Sequence, residues 1–600
     1  MKRRSKIITI ITLIFLCILT AVAFAACGGA KQVTLPAPVN LQIEGTILTW
    51  DKVEHASGYM LNIDGGEKVV TTNSYDLSAD DESKNHSIQI KSLGDGKKYS
   101  SSVWSQVKEY AKEAEQCLEM VYDKSAYGYR VAGIGTVTSS EIVVPEFYEG
   151  LPVVYISSEA FKDNTKITKV TLSDMTEMIG ESAFRGCTSL ESVIFPEYGK
   201  LESMQQNAFR DCSSLKAIDI PDTVTYISKA VFEDCINLES AKLPKNLEII
   251  DWVLFRNTPK LKSVILPDSL FSINWCAFEN SGIEHIKIPK TVFGIANSAF
   301  KGSDITSVEF EEGSSTEIVA IFAFEECINL RSINIPESVT EIGEGAFRGC
   351  GNLELSSLPA NLTTIGDEAF YGCDNLKLTG IAGANLTTIG QSAFKGLGCL
   401  ESVTISAGVT EIGNEAFADC VNLKEVTFDK NSQIKTLVSV FRNTAITEIT
   451  IPRSVRYISG FDGTSSLKTV RFEDNSEITY LRGFEDCGNL TTVDLGKNSK
   501  VTNISINAFE NCTKLSAIEI PNTVKNIESN AFAGCTSIKS IIIPEGVTWI
   551  YKNAFAGWTK DQIIYVENLS EAPSGWYNIK NNWSWLDGSE ATVVWNYKPE

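Results

Sequence analysis

Ten cysteines of this chain occupy one fixed place, three residues after a phenylalanine: Cys187, Cys212, Cys235, Cys327, Cys350, Cys373, Cys420, Cys487, Cys512 and Cys535. A thiol can act as a nucleophile, a metal ligand or a disulfide partner, and each use leaves its own mark. A zinc site needs clusters such as CxxC, and none occurs. A disulfide framework needs partners, yet the same place holds Thr258, Ser281, Ser303, Thr444 or Thr464 in other copies. A position that accepts Cys, Ser or Thr wants a small side chain with a weak donor, fitted into a tight turn. The ten are therefore expected to be buried, free, structural thiols that burial protects from oxidation. Exchange of Cys350 for Ser is expected to cost about 1 kcal/mol.

Other chemistry is sparse. His55, His86 and His285 lie far apart in sequence, and HExxH, GxSxG and GxxxxGK[ST] are all absent. Carboxylates are too abundant to single out a pair. The sequence thus calls for no catalysis, no metal and no cofactor, and points to binding.

The elements that position the thiols form a repeat. Eighteen phenylalanines, from Phe161 to Phe555, recur at spacings of mostly 23 residues, with extremes of 20 and 25. In the copy "AFRDCSSLKAIDIPDTVTYIS", Ile218 and Ile220 alternate with Ala217 and Asp219, as in a strand with one buried face. Pro221 ends that strand because it has no N–H for a ladder. Val224 and Ile227 turn back inward, and Ala208-Phe209 closes the coil. A single coil cannot bury these residues, so stacked coils must share one core. The expected fold is mainly β: a solenoid of about 18 coils with a parallel sheet, roughly 85 Å long at about 4.8 Å per coil.

The segment "CINLRSINIPESVTEIGEGAFRGC" from Cys327 is similar to the repeat of the BspA-like (Treponema pallidum-type) leucine-rich-repeat family. The resemblance extends over about residues 121–566. It implies coils over 161–566 and an N-terminal cap over 121–160, carried by "YGYRVAGIG" and "VVPEFYEGLPVVYISSEAF". Two copies, "FDKNSQIKTLVSVF" and "FEDNSEITYLRGF", replace the proline turn with Asn-Ser, and Gly460 precedes Phe461 in place of Ala. Local bending is expected there. The resemblance also implies a surface protein associated with adhesion to matrix and plasma proteins.

The net charge of −22 argues against nucleic acid, whose phosphates want Lys and Arg, and against adhesion to anionic lipid. The N-terminus differs: "MKRRSK" is basic and residues 7–26 are almost wholly apolar. Such a run is a signal peptide or a membrane span. "AFAACGG" resembles the lipobox of bacterial lipoproteins, with Phe24 where Leu is usual. It implies a signal peptide over 1–26, lipidation at Cys27, a tether over 27–34, and an exported protein at the bacterial cell surface whose only membrane contact is its lipid. An uncleaved anchor and plain secretion are the alternatives.

Residues 35–110 lack the repeat. "LPAPVNLQIEGTILTWDKVEHASGYMLNIDGG" resembles a fibronectin type III domain of bacterial surface proteins. That implies a β-sandwich with Trp50 in its core and His86 opening a strand that usually begins with tyrosine. "AKEAEQCLEM", residues 111–120, reads as a short linking helix. The tail, 567–600, carries Trp576, Trp583, Trp585 and Trp595. Such a cluster covers the open end of a solenoid or grips sugar rings.

The outward positions of the strands form two columns, from which Ile194, Lys242, Ile265, His285, Lys287, Thr404, Thr427, Thr450 and Arg471 are the candidate ligand face. The plain reading of the same columns is a solvated sheet rich in β-favouring Thr. Three functions remain open. The repeats bind proteins on host or neighbouring cells, or they bind glycans, or they hold something else off the envelope as a spacer.

Overall fold

The computed structural model describes residues 32–44, 46–80, 86–110, 117–378, 381, 385–578 and 583–599. The lipidation position Cys27 and the apolar run before it lie outside these residues. Two compact units divide the chain at Glu115/Gln116.

The first unit is built mostly from antiparallel strands, with one short parallel pair, Val33–Thr34 beside Tyr99–Ser100. Gln42–Glu44, Ile47–Thr49 and Ser74–Asp76 form one sheet, and Gly66–Val70, Gly58–Ile63, His86–Leu93 and Lys108–Tyr110 form another, in that order. Their alternating residues share a core that includes Leu48, Trp50, Leu61, Ile88 and Ile90. Tyr59 packs edge-on to Trp50 at 5.2 Å, and its hydroxyl accepts a hydrogen bond from the Val53 amide at 2.8 Å. His86 is buried, and its Nδ1 lies 2.6 Å from Oδ2 of Asp64.

The second unit is a solenoid. In the coil that ends at Cys350, three sides follow from the sequence. A long-face strand, Ser332–Ile333, stops at Pro336, whose carbonyl accepts from the Val339 amide at 3.1 Å. A short-face strand, Glu341–Ile342, follows. The third side is the turn run Ala346-Phe347-Arg348-Gly349-Cys350. Gly349 sits at φ +75°, a left-handed conformation that Asp211, Asp234 or Asn257 adopts at the same place in other coils. Gly343 has a different reason: a Cβ there would lie 2.8 Å from the Ala320 backbone of the preceding coil. Ile333, Val339, Ile342, Ala346, Phe347, Cys350 and Leu353 all point inward and are buried.

Successive coils pair in parallel register, as in Ser307↔Ser332 on the long face and Ile318↔Glu341↔Thr364 on the short face. The short-face sheet runs unbroken through eight strands from Ile249–Ile250 to Glu411–Ile412. The third side is also laddered: the amides of Gly345, Phe347 and Gly349 donate to Asp367, Ala369 and Tyr371 of the next coil at 2.7–2.9 Å. Contacts therefore run from neighbour to neighbour, as in repeat architectures generally.

The phenylalanines form one axial stack. Neighbouring centroids are 5.0–5.9 Å apart and nearly parallel, except at Phe441–Phe461, where the gap is 6.1 Å and the tilt 28°. That break lies beside Gly460 and the Asn-Ser coil, where the sequence departs from its pattern. The last ring, Phe555, is met edge-on by Trp558 at 5.1 Å and Trp585 at 6.1 Å. From Arg210 to Arg348 the position after the phenylalanine alternates basic and acidic: Arg210, Glu233, Arg256, Glu279, Lys301, Glu325, Arg348. Glu325, almost fully buried, lies 2.7 Å from Lys301 Nζ and 3.3 Å from Arg348 Nε, and Glu233 is likewise held between Arg210 and Arg256.

The linking helix expected over 111–120 needs correction where it can be seen. Glu119 and Met120 belong to the strand Glu119–Asp123, paired antiparallel with Gly128–Gly133, and Leu118 is part of the solenoid core. Pairing with Val131 and packing of Met120 on the core override the helix preference of an Ala- and Glu-rich segment. Residues 111–116 lie outside the described part.

Candidate functional site

The thiols form a ladder with a defined acceptor. Each of the ten Sγ atoms donates to the carbonyl of the phenylalanine in the preceding coil, at 3.0–3.2 Å; Cys350 to Phe324 is 3.0 Å. The same carbonyl already accepts from the backbone amide three residues on: Cys327 N–H donates to Phe324 O at 3.2 Å. One thiol thus joins two coils. Burial pushes these thiols up, to about 12 for Cys187, Cys327, Cys420 and Cys535. A thiol so far above neutrality holds its proton, and is neither nucleophile nor metal ligand at pH 7. Among the described residues no group of His, Cys, Asp and Glu is placed to hold a metal ion.

Hydroxyls at this position behave differently. Thr258 and Thr444 donate to the phenylalanine of their own coil, and Ser281 Oγ and Thr464 Oγ1 are buried without a partner. Ser303 Oγ lies 3.5 Å from Cys327 Sγ of the next coil, but none of these hydroxyls donates to the phenylalanine carbonyl of the preceding coil as the thiols do. Serine at position 350 therefore costs more than the substitution pattern suggests, about 1–3 kcal/mol for an unmet buried donor.

The long-face residues singled out from sequence do point outward, but in separate groups. Ile194 and Ile265 are 45% and 87% exposed, with no apolar cover. Lys242 pairs with Asp219 at 2.9 Å, Lys287 with Glu311 at 2.6 Å and Arg471 with Glu448 at 3.1 Å. His285 Nδ1 lies 2.8 Å from Ser307 Oγ. Thr404 stands opposite Thr427, and Thr450 opposite Arg471. The sheet brings together His285 with Lys287, and each of these two pairs, but it joins neither Ile194 nor Lys242 to them. Such exposed ion pairs are worth little in stability. The face is a broad polar surface with shallow hollows, one of about 510 Å³ lined by Ser307, Glu309, Ser332 and Asn334.

Sequence reasoning missed the opposite face. On the short-strand side, Tyr226, Ile249, Trp252, Phe271, Trp275 and Phe293 are each 43–58% exposed. Trp252 stacks on Trp275 at 5.3 Å, and Phe271 on Phe293 at 6.2 Å, each pair joining consecutive coils. Aligning the coils on their phenylalanines reveals the signal. The Trp252 position holds Gln206, Lys229, Asn297, Glu344 and Asp367 elsewhere, and the Phe271 position holds Glu202, Thr225, Glu248, Glu317 and Thr340.

The tail tryptophans turn inward. Trp576 and Trp585 are buried, pack edge-on at 5.0 Å, and contact the half-buried Trp595. The side chain of Trp583 lies outside the described part. Trp558 occupies the ladder position after Phe555, and its indole N–H donates to Phe532 O at 2.9 Å where other coils use a thiol. Two buried indoles offer no open ring face to a sugar.

Among the described residues no helix is long and apolar enough to cross a membrane. The model of the BspA type leucine rich repeat region (6 copies) matches residues 154–284, 272–396, 316–438 and 437–562. Three solved structures are similar at low identity. A leucine rich cell surface protein from Faecalibacterium prausnitzii A2-165 is 22% identical, with a TM-score of 0.34 over 64% of this chain and 94% of that one. A leucine-rich repeat protein from Bacteroides ovatus ATCC 8483 is 22% identical, with a TM-score of 0.40 over 81% of this chain and 100% of that one. The pneumococcal vaccine antigen PcpA is 15% identical, with a TM-score of 0.27 over 80% of this chain and 96% of that one. No curated protein matches the chain.

Proposed function

The chain belongs to the BspA-type leucine-rich-repeat family, and we propose that its solenoid is the protein-binding part of a bacterial surface lipoprotein. The observation that carries this reading is the division of labour across each coil. All ten repeat thiols and the phenylalanine stack are spent on holding the coils together, while the outward side chains of two sheet faces contribute little to stability. That leaves extended surfaces suited to contact with another protein.

In this reading residues 1–26 are the signal peptide, Cys27 carries the lipid, and 27–34 is the tether. Residues 35–110 are a fibronectin type III-like sandwich that spaces the solenoid from the envelope, supported by two antiparallel sheets around Trp50 and Tyr59. Residues 111–117 link the two, 118–160 and 567–600 are caps, and 161–566 are the binding coils. The ligands are proteins of host or neighbouring cells, and the long-face residues from Ile194 to Arg471 belong to the contact surface. The test is a panel of purified matrix and plasma proteins beside a glycan array. Saturable binding to at least one protein is expected. Binding to glycans alone would overturn the reading in favour of a glycan module, and silence on both would leave a spacer.

A further inference from the structure

Single exposed aromatics are ordinary on protein surfaces, but contiguous ones are not. Here two rows run side by side across consecutive coils of the short-strand face: Trp252–Trp275 and Phe271–Phe293. Ile249 and Tyr226 stand in the adjacent column, each one residue after the position, Glu248 or Thr225, that continues the phenylalanine row toward the N-terminal coils. Beside the rows lies a small pocket of about 160 Å³ whose walls include Tyr226, Ile249, Glu248, Asp251 and Asn274.

Charge defines what fits. Asp251 is fixed by the Trp252 amide at 2.8 Å and Asn274 Nδ2 at 3.2 Å. Among the described residues no cation lies within ion-pair distance of Glu248 or Asp251, whereas the carboxylates of Asp219, Asp222 and Glu284 each have a lysine. Glu317 borders the Phe293 end, and Lys229, at the edge of the tryptophan row, is the one basic neighbour along these columns. The patch is therefore apolar with a net acidic rim. An acidic rim repels anionic lipid, and a second copy of a chain with net charge −22 brings further negative charge. A basic partner meets complementary potential.

We propose that this face docks a basic segment of a partner protein. Apolar side chains of the segment lie across the two aromatic rows, and a Lys or Arg side chain enters the pocket against Glu248 and Asp251, where Tyr226 in its wall adds cation–π attraction. This rests on the protein-binding role proposed above and adds to the long face a second contact face with its own partner chemistry.

The test uses the full chain and a phage-displayed library of short random peptides, followed by synthetic peptides of the selected sequences. Selected peptides are expected to combine Lys or Arg with aromatic or aliphatic residues, and to quench or shift tryptophan fluorescence. Trp252→Ser with Trp275→Ser should weaken them at least tenfold, with thermal melting confirming the fold. Glu248→Lys should weaken basic peptides and favour their Lys→Glu counterparts, which a merely bracing role for the aromatics does not predict. Selection without basic residues, or affinity unchanged in both variants, overturns the proposal. So does binding to phosphatidylcholine vesicles, or a dimer in sedimentation that the double variant abolishes. If peptides fail while the matrix-protein panel binds, this inference falls and the general role stands; if both fail, both fall.

Discussion

Phe347→Ala tests whether the axial ring stack is what makes the coils one body. Phe347 has no exposed surface and lies 5.5 Å from Phe324 and 5.4 Å from Phe370, within 10° of parallel. Losing a buried Phe costs about 3–5 kcal/mol through transfer and cavity terms. Two ring contacts go with it, each worth about 0.5–1.5 kcal/mol beyond area. The backbone hydrogen bonds from Phe347 N to Ala369 O and from Gly349 N to Tyr371 O stay available, so the coil is weakened and not deleted. The expected loss is thus near the upper end, about 5 kcal/mol, felt first by the neighbouring coils. Hydrogen exchange followed by mass spectrometry should show faster exchange from Phe324 to Phe370. Peptides around Phe184 and Phe532 should exchange as in the wild type. Equal acceleration along the whole solenoid would refute nearest-neighbour coupling and show a single cooperative globule.

The repeat thiols should resist a thiol reagent in the native protein and react in denaturant; rapid native labelling of most of them would sink the ladder. They also set an alkaline limit. The folded thiol of Cys327 is raised from the ordinary 9.0 to about 12, so both states keep the proton below pH about 9. Above that the unfolded chain sheds protons that the folded one retains, and stability falls by about 1.4 kcal/mol per pH unit per thiol until the folded thiol itself ionises. Cys327→Ser should therefore lose less melting temperature than wild type between pH about 8 and about 10, and parallel losses would refute the linkage. Glu325→Ala should cost about 1–3 kcal/mol, below the 3–5 of a fully buried pair because Lys301 and Arg348 reach water, and chemical denaturation will measure it. Cys27→Ala should abolish labelling with a radioactive fatty acid and release the protein or leave its precursor uncut; equal labelling of the mutant would end the lipoprotein reading.

The solenoid was legible because its period is written in residues that only a shared core explains, Ala-Phe above all. The thiol position was legible as buried and free from its exchange with Ser and Thr. Its acceptor was not, since nothing in "AFRGC" says that Sγ reaches the preceding coil. The same gap hid Trp558, an indole on a thiol's rung. Residues 111–120 misled because Ala and Glu favour helix locally, while Met120 answers to Val131 across a strand pair. The aromatic rows escaped notice for another reason. Each Trp or Phe is unremarked within its own coil and becomes a patch only when coils are laid in register.

The ladder of coils also has a mechanical reading. Each coil closes within about 23 residues and grips only its neighbours, so the coils are springs in series along the axis. A coil occupies about 4.8 Å of the stack, yet its chain spans about 80 Å when drawn straight. Tension between the two ends peels one turn and lengthens the molecule by some sixteenfold of that turn's height, while the rest stays folded. A tether built this way absorbs a pull by paying out length before any distant contact is broken.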